Sequence, residues 1–476
     1  MALAGSPTFA LQPNAERVAL ATNYITNFDF LNQYLPDTYE KEFERYGNRS
    51  VASFLRMVGA EIPTNSDMIK WAEQGRLHTK YTQVGTAAAQ GVSTAEFQVN
   101  DAITGGGERA IRVGQTLLIS QNDGSGVNKG VVTIAAPTAS TFTVAFYEAG
   151  GLVTAGTGAA NADVTIMIYG SEFAKGTNGM VGSLESEDSI FDNKPIILKD
   201  TYSVNGSDMA QIGWVEVTTE NGATGYLWYL KSEHETRLRF DDYLETAMIE
   251  AVPAEPNSGA EAALSTAAAA AGTVNAGSEG VFFAVENRGN VWTGGNPTTL
   301  ADFDSVIQRL DRQGAIEENV LFVNRDFSFD IDDMLAAQNS YGAGGTSYGL
   351  FDNDEEMALN LGFTGFRRGY DFYKSDWKYL NDPTMRGDLS SGGVNGLLVP
   401  AGSTSVYDQV LGKNAKRPFL HVRYRASETE DRRYKTWITG SAGGAATSSL
   451  DAMEVNFLSE RAVCTLGANN FVIFNA

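Results

Sequence analysis

The chain has 476 residues, more than one hydrophobic core usually supports, so the sequence predicts two or three lobes. Its 58 acidic and 35 basic side chains give a formal net charge of −23, and a field of this sign opposes binding to nucleic-acid phosphates. The single cysteine, Cys464, excludes an intrachain disulfide and fits folding in a reducing cytoplasm. No run approaches the roughly 20 apolar residues that cross a bilayer, so no membrane partner is expected.

The beginning of the chain is interpreted as an arm followed by a helical segment. Residues 1–35 show no sustained periodicity, which is typical of an extended arm with little core of its own. In the next segment, 36–82, Tyr39, Phe43 and Tyr46 are spaced by four and three residues, as on one face of a helix. This segment is therefore predicted to be helical.

A change of composition marks a small all-β module over residues 83–170. Basic residues become rare, and Ala, Gly, Thr and Val dominate between turn sequences. Phe142, Val144 and Phe146 alternate with Thr and Ala, which is the period of a strand with one buried face. The module is therefore predicted to have its own core. Its apolar runs are 110–120, 130–135, 141–147 and 164–169.

Residues 171–220 are predicted to contain a long hairpin. Two extended runs, Pro195–Val204 and Met209–Val217, flank the sequence Asn205-Gly206-Ser207-Asp208. Asn-Gly favours a tight turn because both positions tolerate positive φ. We therefore expect the two runs to pair with each other.

A long helix and a linker are predicted over residues 221–280. The helix covers Gly225–Val252 and ends before Pro253, so its length of about 28 residues gives roughly 42 Å. In its polar middle, Glu233 with Arg237 and Glu235 with Arg239 have the favourable i to i+4 spacing. These charges either pair along the helix or contact another subunit. The linker is 255–280, which is rich in Ala and Gly.

The last two segments are predicted to be an α/β lobe over 281–405 and a group of strands over 406–476. Apolar spacing predicts helices at 302–312 and 331–337 and a buried strand at 320–323. In the strand 419–425, Leu420, Val422 and Tyr424 would share one face, with His421, Arg423 and Arg425 on the other. The basic residues of 413–417 and 421–425 lie among strand-like residues, which favours subunit contacts over nucleic acid. Further strands are predicted at 434–438, 453–466 and 471–474.

Motifs for chemistry are weak throughout the sequence. His234-Glu235 begins like a zinc-protease helix, but Leu238 stands where the second histidine is needed. Ser347 has the Gly-x-Ser-x-Gly spacing of a hydrolase nucleophile, yet loop-like residues precede it instead of a strand. The acidic run 352–356 lacks the glycine of a calcium loop, because Met357 occupies that position. No catalytic residue, cofactor or metal ligand is assigned.

Taken in order, these segments resemble the major capsid proteins of tailed bacteriophages. The residues that carry the resemblance are 195–217, 225–252, 303–333 and 457–462, and the phrase Leu310–Asn319 is similar to those of crAss-like and other Bacteroidetes-infecting phages. The resemblance implies an α+β fold with an N-arm, an E-loop hairpin, a peripheral lobe with a spine helix, and an axial lobe. Residues 83–170 would then be an inserted domain on the outer surface.

The resemblance also implies a function. The chain would self-assemble into hexamers and pentamers of an icosahedral head, with scaffold, portal and decoration proteins as partners. The head would assemble in the host cytoplasm and enclose double-stranded DNA without sequence-specific contact. The alternatives are another virion component, such as a tail or decoration protein, and a serine hydrolase that uses Ser347. The implied assembly contacts are Lys199, Asn205, Asp208, Trp214, Glu233, Arg237 and Arg239.

Overall fold

The chain folds into two compact units, which are described separately in this computed structural model. Within the described residues, the small unit contains 200–241 and 436–457, and the large unit contains 60–199, 242–435 and 458–475. The structure describes residues 60–86, 93–99, 110–122, 126–135, 141–149, 164–182, 188–210, 217–218, 224–225, 228–264, 276–314, 316–339, 365–387, 389, 392–408, 413–444 and 446–475.

The chain enters the described region as strands. β1 (Ala60–Thr64) and β2 (Ile69–Gln74) precede β3 (Lys80–Thr86). The helical segment predicted over 36–82 is therefore wrong from residue 60 onward, and its earlier part, like the arm at 1–35, lies outside the described residues. In β2, buried and exposed side chains alternate with the period of two that defines a strand, and its partner comes from a distant part of the sequence.

The β module is a closed six-stranded barrel. β3 is followed by β4 (Thr94–Val99), β5 (Gln115–Gln121), β6 (Val127–Ala135), β7 (Thr141–Phe146) and β8 (Val164–Ser171), and the strand order is β3-β4-β7-β6-β5-β8. Phe142 and Val144 are buried as predicted, and the Phe97 ring stacks 5.8 Å from that of Phe142. Inward-facing side chains fill the barrel, so the module has its own core.

The predicted tight hairpin at Asn205-Gly206 is wrong. β9 (Asp188–Asn193) pairs with β2, and β10 (Ile196–Asn205) runs into a single helical turn, α1 (Gly206–Met209). Asn205 has φ −69°, an ordinary extended value, and the Gly206 N–H donates to the Asp451 carbonyl at 3.1 Å. In the described sheets, β10 pairs with the strand Ala452–Thr465, and most of the second predicted run, 211–216, lies outside the described residues. The short strands β11 (Val217–Thr218) and β12 (Thr224–Gly225) pair with each other.

The long helix α2 is confirmed with shorter bounds, Trp228–Glu250. Its 23 residues span about 35 Å. The predicted linker contains a short helix, α3 (Gly259–Leu264). Among the described helices, none has the length and apolar character needed to span a bilayer.

Alternating helices and strands follow, as predicted for residues 281–405. Thr299 caps the helix Leu300–Gln313 through a capping box with Asp302, which satisfies backbone N–H groups at the helix start. The predicted helix 302–312, strand 320–323 and helix 331–337 all occur, each with wider bounds. The elements are α4 (Val281–Arg288), β13 (Asn290–Trp292), α5 (Leu300–Gln313), β14 (Glu318–Val323), α6 (Arg325–Asn339), β15 (Gly365–Arg368), β16 (Tyr370–Asp376), α7 (Lys378–Asn381) and β17 (Val394–Pro400).

The remaining strands complete two sheets. They are β18 (Ser403–Asp408), β19 (Lys413–Pro418), β20 (Leu420–Arg425), β21 (Lys435–Gly440), β22 (Ala452–Thr465) and β23 (Val472–Asn475). A six-stranded sheet has the order β13-β23-β17-β14-β16-β15, and a second sheet has the order β1-β20-β22-β10 with β21 also paired to β22. β18 and β19 form a separate two-stranded hairpin.

The predicted alternation of side chains along β20 is confirmed by the strand Leu420–Arg425, but the face that carries His421 is also buried in the first half of the strand. Leu420 and Val422 are buried, but His421 on the opposite face is buried as well. β1 and β22 flank β20, and both of its faces are covered there. Burial lowers the pKa of His421 to about 4, so the imidazole is neutral at physiological pH.

Candidate assembly surface

One face of the strand β10 is exposed to solvent, and the other face packs against the protein. Side chains at every second position are exposed, and this face includes the candidates Lys199 and Asn205. Val204 lies on the opposite face and is buried. At the end of the strand, the Asn205 amide Nδ2 donates to Asp208 Oδ2 at 3.3 Å. Two candidates, Asn205 and Asp208, therefore contact each other in the small unit.

The first half of α2 holds the charged candidates. Arg237 Nη2 lies 3.4 Å from Glu233 Oε1, so the predicted i to i+4 pair is present. The predicted pair of Glu235 with Arg239 is wrong. Glu235 pairs instead with Lys231 at 3.7 Å, and Arg239 Nη2 lies 3.3 Å from Asp200 Oδ2 on β10. Arg239 thus ties the helix to the strand.

An aromatic pair lies beneath these charges in the small unit. Phe240 and Phe457 are both buried, with ring centroids 5.7 Å apart. The Arg237 guanidinium lies 6.0 Å from the centre of the Phe457 ring, where the negative face of the ring attracts the cation. The helix and β22 are therefore held by apolar packing, and the candidate charges lie at its margin.

The sequence patterns did not predict an apolar edge, which we name the β21 edge and define as Trp437, Ile438 and Leu450. Trp437 and Ile438 follow each other on β21 and point to opposite faces, yet they are 37% and 43% exposed. Leu450, in the loop that leads to β22, is 52% exposed. β21 has β22 as its neighbour in the described sheet. Exposed apolar edge strands are templates for pairing with another chain.

The β21 edge is held in a fixed position by a close backbone approach. Gly440 has φ +119°, and a side-chain carbon there would lie 1.9 Å from the Ala452 carbonyl oxygen. The loop that follows closes on itself, because the Ser441 N–H donates to the Leu450 carbonyl at 3.0 Å. Only glycine fits at position 440. No local sequence signal marks this edge, because the run Thr-Trp-Ile-Thr-Gly has the composition of a buried strand.

The remaining candidates of the sequence lie partly outside the described residues. Trp214, Ser347 and the acidic run 352–356 lie outside the described residues. His234 and Glu235 lie on α2, and the described part of the chain holds no cluster of metal-ligating side chains. Burial raises the pKa of the Cys464 thiol to about 12, so this cysteine is not poised as a nucleophile.

The pair of Arg239 with Asp200 is expected to add little to the stability of the small unit. Arg239 is largely exposed, and double-mutant cycles on such pairs give about 0.2–1 kcal/mol. We expect a cycle of Arg239→Ala and Asp200→Ala, measured by urea unfolding of unassembled chain, to show coupling in this range that declines with added salt. The pair of Glu233 with Arg237, which lies within one helix, is the matched control for the coupling measurement. A coupling energy above about 2 kcal/mol that does not change with salt concentration would contradict this expectation.

Comparisons with known proteins give only distant similarity. No family model and no curated protein match the chain. A chain from Gordonia phage Cozz has a TM-score of 0.39 at 9% identity, with 99% of each chain covered. A chain from Microbacterium phage Oxtober96 has a TM-score of 0.38 at 10% identity, with 95% of this chain and 99% of that one covered. The capsid of a native GTA particle has a TM-score of 0.36 at 9% identity, with 96% and 99% covered. TM-scores at this level do not define a shared fold.

Proposed function

We propose that this chain is a structural subunit of a tailed-bacteriophage head, a major capsid protein that functions by assembling in many copies. The observation that carries the proposal is the order of its elements. An extended strand, β10, precedes the long helix α2; the helix–strand lobe follows; and the long strand β22 returns as the neighbour of β10. This is the order that the resemblance to capsid proteins implies, with the hairpin turn at residue 205 as the departure.

A second observation supports self-association. The β21 edge places exposed Trp and Ile side chains beside backbone groups at the margin of a sheet. The strand that carries these side chains is already paired with β22, so docking would order little further backbone. An edge of this kind, repeated in every copy, lets many modest contacts act together in a closed assembly.

The finer features of the proposal follow from the resemblance. We propose hexamers and pentamers of an icosahedral shell, assembled in the host cytoplasm with scaffold and portal proteins, and a virion location for the finished head. The crAss-like or other Bacteroidetes-infecting phages are the proposed subgroup. The barrel is proposed as an inserted domain on the outer surface, where decoration proteins also bind. The net charge of −23 favours containment of DNA by geometry over attraction to it.

The test is to express the chain with the neighbouring scaffold and portal genes and to examine the product by electron microscopy. We expect closed shells from the natural sequence. Trp437→Glu with Ile438→Glu should block or strongly reduce shells, because buried carboxylates at a contact lose their solvation. Tyr243→Glu, a similarly exposed aromatic position on α2, is the control that should still assemble. Persistent monomers from the natural sequence under all conditions would overturn the proposal, and long tubes would favour a tail component.

A further inference from the structure

The outer wall of the barrel carries an open cleft of about 580 Å³. This volume lies within the range of sites for small molecules, which is about 300–1,000 Å³. Its sides are Tyr147, which follows β7, and Tyr169 on β8, and these side chains are 50% and 49% exposed. Two half-exposed aromatic rings on one cleft are a large apolar surface that folding leaves open to solvent.

One lining residue of the cleft is a glycine, Gly170. Gly170 on β8 pairs with Thr116 on β5, and a side-chain carbon at position 170 would lie 3.2 Å from the Thr116 hydroxyl. Gly170 has no positive φ, so its backbone conformation does not require glycine. Thr116 and Gly170 both line the cleft, so the absence of a side chain at position 170 leaves space beside the Thr116 hydroxyl.

Hydrogen bonds fix the polar groups around the rings. The Tyr147 hydroxyl donates to Glu172, which raises the pKa of Tyr147 to about 12 and keeps the phenol protonated. The Asn128 amide Nδ2 donates to Glu148 Oε2 at 2.8 Å, which orients that carboxylate beside the cleft. Each carboxylate keeps further lone pairs as acceptors for a ligand. The cleft therefore has ordered acceptors next to aromatic faces.

These groups discriminate among ligand classes. Glu148 and Glu172 repel phosphates and other anions. The Lys129 ammonium lies 6.0 Å from the centre of the Tyr169 ring, and its positive charge beside the cleft opposes a ligand cation. Among the described residues that line the cleft, none has an aliphatic hydrocarbon side chain, which disfavours a purely apolar ligand. A neutral ligand with many hydroxyls and one apolar face satisfies all of these constraints.

We propose that this cleft binds neutral saccharides. The C–H bonds on one face of a sugar ring pack against Tyr147 or Tyr169, because the faces of aromatic rings carry partial negative charge. The sugar hydroxyls donate to Glu148 and Glu172 and accept from the Lys129 ammonium. The cleft is open and wet, so a single site has a Kd on the order of 1 mM, and repeated copies bind a polysaccharide more tightly. The proposal does not depend on assembly.

The test is affinity gel electrophoresis of the unassembled full chain in gels that contain mannan, dextran, mixed-linkage β-glucan or galactan, with alginate as the anionic comparison. We expect retardation by at least one neutral polysaccharide and none by alginate. Tyr169→Ala and Gly170→Leu should each weaken the apparent Kd at least tenfold, and Tyr147→Phe, which keeps the ring, should weaken it less than Tyr147→Ala. Tyr373→Ala removes an equally exposed tyrosine outside the cleft and should change nothing.

Thermal melts followed by circular dichroism separate loss of binding from loss of fold. Tyr169→Ala changes a half-exposed side chain, so its melting temperature should match that of the natural sequence, and it remains a valid test if Gly170→Leu unfolds the barrel. Failure of all four neutral polysaccharides to retard the chain overturns the proposal. Retardation that is unchanged in folded Tyr169→Ala and Tyr147→Ala, or that is equally strong with alginate, overturns it as well.

Discussion

Replacing Trp377 by alanine is expected to lower the unfolding free energy of the large unit by about 3–5 kcal/mol. Trp377 is only 1% exposed and is one of the largest fully buried side chains. Its ring packs edge-on against Phe282 and Phe322, each at a centroid distance of 6.0 Å, and lies 5.5 Å from Tyr379. Truncation leaves a cavity among rings that the surrounding helices and sheet hold in place.

Urea unfolding of the unassembled chain, followed by circular dichroism, measures this loss. Trp437→Ala is the matched control, because Trp437 is 37% exposed and its truncation leaves no enclosed cavity; its unfolding free energy should fall by less than that of Trp377→Ala. Trp377→Phe keeps an aromatic ring and should lose less than Trp377→Ala. If Trp377→Ala and Trp437→Ala lowered the unfolding free energy equally, the cluster around Trp377 would not be what stabilises the large unit.

The elements that the sequence predicted best are those with local causes. The helix α5 has apolar residues at helical spacing and a start fixed by Thr299 and Asp302, which are three residues apart. The alternation around Phe142 predicted a strand, and that strand lies in the barrel. In both cases, neighbours within a few residues determine the conformation, so the pattern alone is sufficient.

The errors concern pairings between distant residues. Asn205-Gly206 has the composition of a tight turn, but β22, about 250 residues later, supplies the partner of β10. The segment 60–82 forms strands because β1 pairs in parallel with β20 and β2 pairs with β9. A parallel partner needs a long connection, and no local pattern identifies it.

The candidate surface shows the same division. Spacing along the helix predicted the Glu233 and Arg237 pair, whereas Arg239 found a partner, Asp200, on a strand that the helix spacing cannot reveal. The β21 edge was missed because exposure depends on which neighbours a strand has, and composition alone reads Trp437 and Ile438 as core residues. Assembly roles for Lys199, Asn205, Asp208, Trp214, Glu233, Arg237 and Arg239 remain proposals.

Asn193 is the position where a single polar side chain is expected to matter most. It is 4% exposed and lies at the end of β9, just before β10. Its amide Nδ2 donates to the carbonyls of Val463 at 2.6 Å and Glu279 at 2.9 Å. Its Oδ1 accepts from the Lys194 N–H at 2.7 Å, from Ser278 Oγ at 3.0 Å and from the Glu279 N–H at 2.8 Å. One amide thus joins three segments of the large unit.

Asn193→Ala is therefore expected to lower the unfolding free energy by about 3 kcal/mol, because each buried group left without a partner costs about 1–3 kcal/mol. Asn193→Asp keeps the acceptors but directs a second oxygen at the carbonyls of Val463 and Glu279. Burial and these oxygens favour the protonated acid, which donates one hydrogen bond, so the carboxyl pKa in the folded state rises above that in the unfolded state. A raised folded-state pKa contributes stability that is complete below the ordinary aspartate pKa of about 3.9 and is lost as pH rises through the folded-state pKa, so this variant should be less stable at pH 8 than at pH 5.

Urea unfolding at pH 5 and pH 8 measures both effects, and Asn205 provides the control. The Asn205 side chain is exposed and makes a 3.3 Å hydrogen bond to Asp208, so Asn205→Ala and Asn205→Asp should each change the unfolding free energy by less than about 1 kcal/mol at either pH. If Asn193→Asp were as stable at pH 8 as at pH 5 relative to the natural chain, the amide donor would not be essential. The packing of β9 against residues 278–279 and β22 would then depend on the apolar side chains around Asn193.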